Sequence, residues 1–369
     1  MKWTLVTLND IIKVKSGDGL IASQMKSEGA YAVYGGNGIN GYYDEYMLEK
    51  PTLILGRVGA KCGVVHITKP KSWVTDNALI VTFDEKKADQ KYLYWALTLA
   101  DLNKLSSSTA QPVISGARIY STEIPLPTLS TQQKIATILD EADALRRKDK
   151  ALLAKYHELL QAVFYDMFGD PVKNEKGWET RKIGDLANIS SGSTPSRSND
   201  EYYGGDILWV KTTEVNGKRI YDTEEKITEL GLKNSSCKLY PVNSIILAMY
   251  GQGKTRGQVG ILGVPATTNQ ACAVIQPSRL YNSNFLLCLL GQLYYELRNE
   301  SRGGNQQNLN GGIIKDFEIM YPPLKLQNNF SVFFENIISQ KSQIILQQTY
   351  SENLFQSLMQ RAFKGELVG

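Results

Sequence analysis

The stretch Ala248-Met249-Tyr250-Gly251-Gln252-Gly253-Lys254-Thr255 carries residue types that can cradle a phosphate. A glycine-rich turn ending in Lys-Thr lets backbone amides wrap an anion, and a helix opening directly after it adds a favourable dipole. The continuation, Arg256-Gly257-Gln258-Val259-Gly260-Ile261-Leu262-Gly263, argues against a nucleotide loop. Glycines interleaved with β-branched residues do not start a stable helix. The first half holds a related stretch, Gly56-Arg57-Val58-Gly59-Ala60-Lys61-Cys62-Gly63, without a Gly-Lys-Thr. What the two share is a glycine-rich loop with cations: Arg57 and Lys61 in one copy, Lys254 and Arg256 in the other. Such loops let main chain and cation approach a phosphate chain closely, that of DNA included. A tight hairpin with incidental charge is the alternative.

A second shared pattern is rich in amides. The first half has Ser108-Thr109-Ala110-Gln111-Pro112-Val113-Ile114-Ser115-Gly116-Ala117-Arg118. The second has Gly303-Gly304-Asn305-Gln306-Gln307-Asn308-Leu309-Asn310-Gly311-Gly312. Asn and Gln amides pair with adenine in the major groove and Arg with guanine, which makes Gln111, Arg118, Asn305 and Gln306 candidate base contacts. The same residues are ordinary loop formers. The segment Gly192-Ser193-Thr194-Pro195-Ser196-Arg197 is a turn by composition, with Arg197 a further candidate phosphate contact.

Other chemistry finds little support. His66 and His157 are the only histidines, too few and too far apart for a multi-histidine metal site. Cys62, Cys237, Cys272 and Cys288 form no CxxC pair, which favours reduced thiols in a cytoplasm. No Asp/Asn-Pro-Pro-aromatic motif of an amino-methyltransferase occurs, and no G-x-G-x-x-G follows a strand and opens a helix. No basic, apolar leader and no apolar run near 18 residues is present, so neither secretion nor membrane insertion is expected. The net charge of +4 is compatible with nucleic acid and decides nothing alone. No catalytic residue and no metal or cofactor site of its own is assigned to the chain.

These loops sit in a sequence that repeats itself. Residues 3–17 (WTLVTLNDIIKVKSG) align without gaps on 178–192 (WETRKIGDLANISSG), matching Trp3 with Trp178, Asp10 with Asp185 and Gly17 with Gly192. Ile124-Pro125-Leu126-Pro127-Thr128-Leu129 echoes Ile319-Met320-Tyr321-Pro322-Pro323-Leu324. The offset grows from 175 to 195, so the second copy carries extra loop residues. A helix follows each copy. Over 130–166, Ser130 and Gln133 suggest a capping box, and Ile135, Ile138, Ala142, Leu145, Leu152, Tyr156, Leu159 and Val163 form a heptad seam interrupted at Asp149. Over 327–363 the seam is Phe330, Phe333, Ile337, Gln340, Ile344, Gln347, Ser351, Leu354 and Leu358. Two apolar stripes of equal length most simply bury against each other as an antiparallel pair, a rod of about 50 Å. Separate amphipathic helices, each packed on its own domain, are the alternative.

In this order and in duplicate, the motifs resemble those of the specificity subunits of type I restriction-modification systems. The first half carries Tyr34-Gly35-Gly36-Asn37-Gly38, Gly41-Tyr42-Tyr43, the Gly56–Gly63 run and Thr75-Asp76-Asn77-Ala78. The second carries Ser191-Gly192-Ser193-Thr194-Pro195-Ser196, Ile207-Leu208-Trp209-Val210-Lys211-Thr212 and Thr268-Asn269-Gln270-Ala271. The helix preludes and the helix ends Met167-Phe168-Gly169-Asp170-Pro171 and Ala362-Phe363-Lys364-Gly365-Glu366-Leu367 fit as well. At Leu326-Gln327-Asn328-Asn329 the chain departs from the family, which usually has an acidic residue beside the glutamine.

The resemblance implies an α+β fold. Two duplicated mixed α/β target-recognition domains (1–129 and 171–325) would be joined by two long antiparallel coiled-coil helices (130–170 and 326–369) in pseudo-two-fold fashion. It implies a non-catalytic reader of double-stranded DNA, one domain per half of a split target. The helices would act as a ruler and dock two methyltransferase (M) subunits, with restriction/translocase (R) subunits recruited to the complex. S-adenosylmethionine, ATP and Mg²⁺ would be bound by those partners. Coiled-coil positions expected to pack or dock are Ile135, Ile138, Leu145, Leu152, Leu159, Phe333, Ile337, Ile344, Leu354 and Leu358. A coiled-coil scaffold that ignores DNA and a nucleotide hydrolase using Lys254 are the competing readings.

Overall fold

The computed structural model describes residues 3–107, 112–251, 253–300 and 308–368. The chain forms two compact units, one of residues 1–151 and 344–369, the other of residues 152–343. Both boundaries fall inside a long helix, so each unit takes a share of each helix.

Unit 1 contains β1 (Leu5–Thr7), β2 (Ile12–Ser16), β3 (Tyr31–Gly35), β4 (Gly38–Tyr43), β5 (Leu53–Gly56), β6 (Val65–Ile67), β7 (Ser72–Val74) and β8 (Ala78–Phe83). Helices α1 (Gln90–Ala100) and α2 (Gly116–Ile119), strand β9 (Glu123–Pro125) and the start of α3 (Leu129–Phe168) follow. One sheet runs β2-β8-β5-β6, a second β4-β3-β7, and β1 pairs with β9. Strand β8, rich in apolar and β-branched residues, is buried from Ala78 to Val81 and flanked by β2 and β5.

Unit 2 contains the end of α3, then β10 (Thr180–Lys182), α4 (Ile183–Leu186), β11 (Ile189–Ser191), β12 (Tyr203–Val210), β13 (Arg219–Ile220), β14 (Lys226–Ile227) and α5 (Glu229–Lys233). It continues with β15 (Ile245–Ala248), β16 (Val259–Leu262), β17 (Thr267–Thr268), β18 (Cys272–Ile275), α6 (Ser283–Gln292), α7 (Tyr294–Glu300), α8 (Gly311–Asp316), β19 (Glu318–Met320) and the start of α9 (Leu324–Lys364). Its sheets run β11-β18-β15-β16-β13 and β14-β12-β17, with β10 on β19. Strand for strand this is unit 1 again, with β13 added at the edge of the larger sheet.

The repeated residues make the same contacts twice. Trp3 Nε1 donates to Ala362 O near the end of α9 (3.0 Å), and Trp178 Nε1 donates to Phe168 O at the end of α3 (2.8 Å). Each bond reaches a carbonyl in the last turn of a long helix, where intrahelical donors run out. Gly17 and Gly192 pass so close to the strand-loop at residues 74–75 and 268–269 that a Cβ at either would overlap its backbone. The helix ends at Gly169 and Gly365 both turn left-handed (φ +79° each), the conformation glycine adopts without penalty.

Inside unit 1 the two long helices lie antiparallel. Arg146 pairs with Glu352 at 3.1 Å, and Gln347 Nε2 donates to the buried Asp149 at 2.8 Å. Ile135, Ala136, Leu139 and Ala142 of α3 share a core with Phe355, Met359 and Ala362 of α9 and with α1. In unit 2, Phe164 and Phe168 pack on Phe330, Phe334 and Phe285.

Two sequence expectations need correction. Leu145, Leu152, Leu159, Phe333 and Leu354 are exposed rather than seam positions. The seven-residue row from Ile135 through Ala142 and Asp149 stays buried, while the row from the half-buried Ile138 turns outward at Leu145, Leu152 and Leu159, so the packed face of α3 is narrower than a full two-row seam. Ile135, Ile337 and Ile344 are buried as expected, with Ile138 and Leu358 half-buried. Ser130 is no cap, since α3 already starts at Leu129.

Instead the neighbouring Gln132 is fully buried, donating through Nε2 to Pro127 O and Lys87 O and accepting from Asp89 N. Its repeat partner Gln327 donates to Pro322 O and accepts from Asn282 N. Asp89 and Asn282 are themselves the N-caps of α1 and α6. One buried amide therefore ties each long helix to its domain.

Candidate nucleic-acid interface

The glycine-rich loops are β-hairpin turns. Gly56–Gly63 joins β5 to β6, closed by Gly56 N to Val64 O and Gly63 N to Gly56 O (2.8 and 2.7 Å). In unit 2 the loop joins β15 to β16, closed in the same way by Ala248 N to Gln258 O and Gly257 N to Ala248 O (both 2.9 Å). The Gly-Lys-Thr stretch is thus followed by a strand, and no helix dipole is available to a nucleotide. Positive φ at Gly251, Gly253 and Gly257 shapes the turn.

Each loop lies beside the amide-rich segment of its own unit. In unit 1, Ile114 N donates to Arg57 O and Gly59 N to Pro112 O (2.9 and 2.8 Å), and Val58 bridges Val113. In unit 2, Leu309 N donates to Met249 O (3.2 Å). Arg57 and Met249 are equivalent, since the amide of each donates to the residue just before the neighbouring strand, Arg57 N to Asn77 O before β8 and Met249 N to Ala271 O before β18. The two features singled out separately in the sequence are therefore spatial neighbours in both units.

Arg57 is half-buried, and its Nη1 donates to Ser16 Oγ (3.2 Å) and Asp76 O (3.3 Å). A guanidinium carries five N–H donors, so others stay available. Lys61 and Lys254 are exposed, and neither meets a carboxylate among the described residues. Arg118, exposed on α2, donates to Leu105 O at 3.2 Å. Arg256 has a buried Nε without a hydrogen-bond partner among the described residues.

Arg197 is placed differently. It pairs with Glu225 at 2.8 Å and stacks on Tyr203 and Trp209. The hydrogen bond from Arg197, with help from Lys211, holds Glu225 below the ordinary carboxylate pKa. Its charge serves to fix the loop at residues 192–197 on β12. Gln111, Asn305 and Gln306 lie outside the described residues.

Two residues that escaped the sequence reading hold the unit 2 loop. Tyr294 OH donates to Lys254 O (2.8 Å) and Arg298 Nη1 to Arg256 O (2.6 Å), both from α7. Their i, i+4 spacing on a helix was the available signal. Among the described residues no cluster of His, Cys, Asp and Glu is arranged to hold a metal, and no helix is long and apolar enough to cross a membrane.

Comparison with known proteins agrees with this architecture. The family of the type I restriction modification DNA specificity domain matches residues 1–154 and again 175–351. The type I restriction enzyme MjaIX specificity subunit of Methanocaldococcus jannaschii is 28% identical over 293 residues, 73% of this chain and 67% of that one. The EcoprrI specificity subunit of Escherichia coli is 32% identical over 143 residues, 38% of this chain and 35% of that one. Among solved structures, the S subunit of the type I restriction-modification system of M. genitalium superposes with a TM-score of 0.73 at 16% identity, over 98% of this chain and 96% of its own. At that identity the likeness concerns the fold.

Proposed function

The chain belongs to the type I restriction-modification DNA specificity family, and on that premise we propose that it reads a bipartite target in double-stranded DNA, one half-site per unit, and supplies recognition to chemistry performed by other subunits. Residues 1–129 and 171–325 are the two readers, and residues 130–170 and 326–369 the helices that hold them. One observation carries the reading: in both units a cation-bearing glycine hairpin is hydrogen-bonded to the amide-rich segment before a long helix. Phosphate contacts from the hairpin together with base contacts from that segment would be the combination that positions and then specifies on DNA.

Arg57, Lys61 and Arg118 serve unit 1, and Lys254 and Arg256 serve unit 2. Gln111, Asn305 and Gln306 provide amides to base edges. Arg197 acts at one remove, by holding its loop. The exposed apolar side chains support docking of one methyltransferase subunit per unit: Leu145 and Leu354 in unit 1, Leu152, Leu159 and Phe333 in unit 2. Those subunits bring S-adenosylmethionine, and restriction subunits bring ATP and Mg²⁺.

A binding selection from randomised duplexes tests this. Wild type yields one split motif. Arg118→Ala relaxes positions in one half only, and Gln306→Ala changes preference in the other half only. A motif that either variant alters in both halves, or in neither, refutes the assignment of one reader per unit.

A further inference from the structure

The two larger sheets end differently, and the difference leaves one edge open. In unit 2, β13 runs parallel along β16: Gly217 N donates to Val259 O, Ile261 N to Lys218 O and Gly263 N to Ile220 O. From this strand Arg219 reaches Asn284 on α6 and Glu335 on α9 (both 3.0 Å). Asn284 also donates to Glu335 (2.8 Å), closing a triangle of strand, short helix and long helix.

In unit 1 the strand equivalent to β16 is β6, and it is an edge: nothing among the described residues pairs with its outer side. The register on β5 matches that of β16 on β15, with Val65 opposite Leu55 as Val259 is opposite Leu247, and Ile67 equivalent to Ile261. The inward bonds fall at Val64 and Thr68, so Val65 C=O and Ile67 N–H point outward, as Val259 C=O and Ile261 N–H do in unit 2. The equivalents of Asn284 and Glu335 are Lys91 and Asp140, themselves ion-paired at 2.6 Å. Ile67, Lys91 and Asp140 all line a cleft of about 460 Å³, whose wall also includes His66, Trp95, Asp143, Ala144 and Arg147. The cleft thus stands where unit 2 has β13.

We infer that this cleft is a docking groove for an extended segment of a partner polypeptide, which adds to β6 in parallel register as β13 adds to β16. The main chain of the segment pairs with Val65 C=O and Ile67 N–H, the interactions that give strand addition its affinity. A long donor side chain opposite Ile67 takes the place of Arg219 and reaches Asp140. That carboxylate accepts one bond from Lys91 Nζ and one from Trp95 Nε1, and each oxygen retains a free lone pair. Unmanaged sheet edges invite non-specific pairing, and a cleft that admits one segment confines it. The inference goes beyond DNA reading and does not depend on it.

The chain itself provides the probe: a labelled synthetic peptide of residues 215–222, which contains β13, titrated into the full-length protein and followed by fluorescence anisotropy. Saturable binding is expected, with amide exchange at Ile67 slowed at least tenfold. Ile67→Pro removes the outward N–H at an edge position where proline is tolerated, and Ala144→Trp fills the groove from α3. Both are expected to weaken peptide binding at least tenfold, with exchange protection in β5 retained as the check on folding. Absence of binding up to about 1 mM peptide, the level of a free energy near −4 kcal/mol, overturns the inference. So does binding that both variants leave intact, which would place the peptide elsewhere.

Discussion

Replacing Gln132 by leucine isolates the joint between a reading domain and its helix. The side chain is fully buried and makes three hydrogen bonds, to Pro127 O, Lys87 O and from Asp89 N, at 2.9, 3.0 and 2.9 Å. Leucine fills similar volume, so the cavity term is small and the loss is polar. Each bond contributes about 1 kcal/mol net, and orphaning the Asp89 amide adds roughly 1–3 kcal/mol of uncompensated desolvation. Gln132→Leu should therefore destabilise unit 1 by about 4–6 kcal/mol. Gln327 makes two such bonds, to Pro322 O and from Asn282 N. Gln327→Leu should cost unit 2 about 1 kcal/mol less. Native-state amide exchange separates the units, because α1 reports on one and α6 on the other. Losses below about 1 kcal/mol in both variants, or a larger loss at Gln327, would refute the claim that these amides are the joints.

Other expectations follow from the same contacts. Lys254→Ala should weaken DNA binding about 3–10-fold for all sequences alike and shrink the logarithmic salt slope by about 0.9, read from titrations at several salt concentrations. Burial holds the His66 imidazole below its ordinary pKa of 6.5. The unfolded chain therefore takes up that proton first, so this part of unit 1 stability is complete above pH 6.5 and declines as pH falls toward the depressed folded value. Denaturation midpoints in mildly acidic and neutral buffer should show that decline, and His66→Asn should remove it. Gly17→Ala and Gly192→Ala should each destabilise their own unit by about 2 kcal/mol or more, because a Cβ there meets backbone that cannot yield; thermal melts check this.

What the sequence revealed and what it concealed divides along physical lines. The duplication was legible because contacts that recur demand residues that recur: Trp3 and Trp178, Gly17 and Gly192. The rejection of a nucleotide loop was legible because glycine and β-branched content after Lys254 is local, and local propensity acts there without competition from packing. The helix seam was read poorly. Leu145, Leu152 and Leu159 keep a seven-residue spacing, yet the buried face of α3 is set by two neighbours, its own domain core and α9, which no single periodicity encodes.

The role of Gln132 was hidden by an attractive cap signature in the residues around it. Alignment at the second offset, where Gln132 meets Gln327, was the signal that marked it. Arg197 shows the opposite failure: a cation in a loop looked available, while its partners Glu225, Tyr203 and Trp209 arrive from β12 and the residues after it. The open edge of β6 could not be read from sequence at all, because it depends on a strand that one copy has and the described residues of the other do not.

The central claim is that this chain chooses the DNA sequence. The most direct measurement is base-resolution mapping of adenine methylation in cells that carry the partner methyltransferase, with and without this chain. The account predicts methylation at one split motif, two defined halves about a fixed gap, that is present with the chain and lost without it. The same methylation pattern in both strains would contradict it.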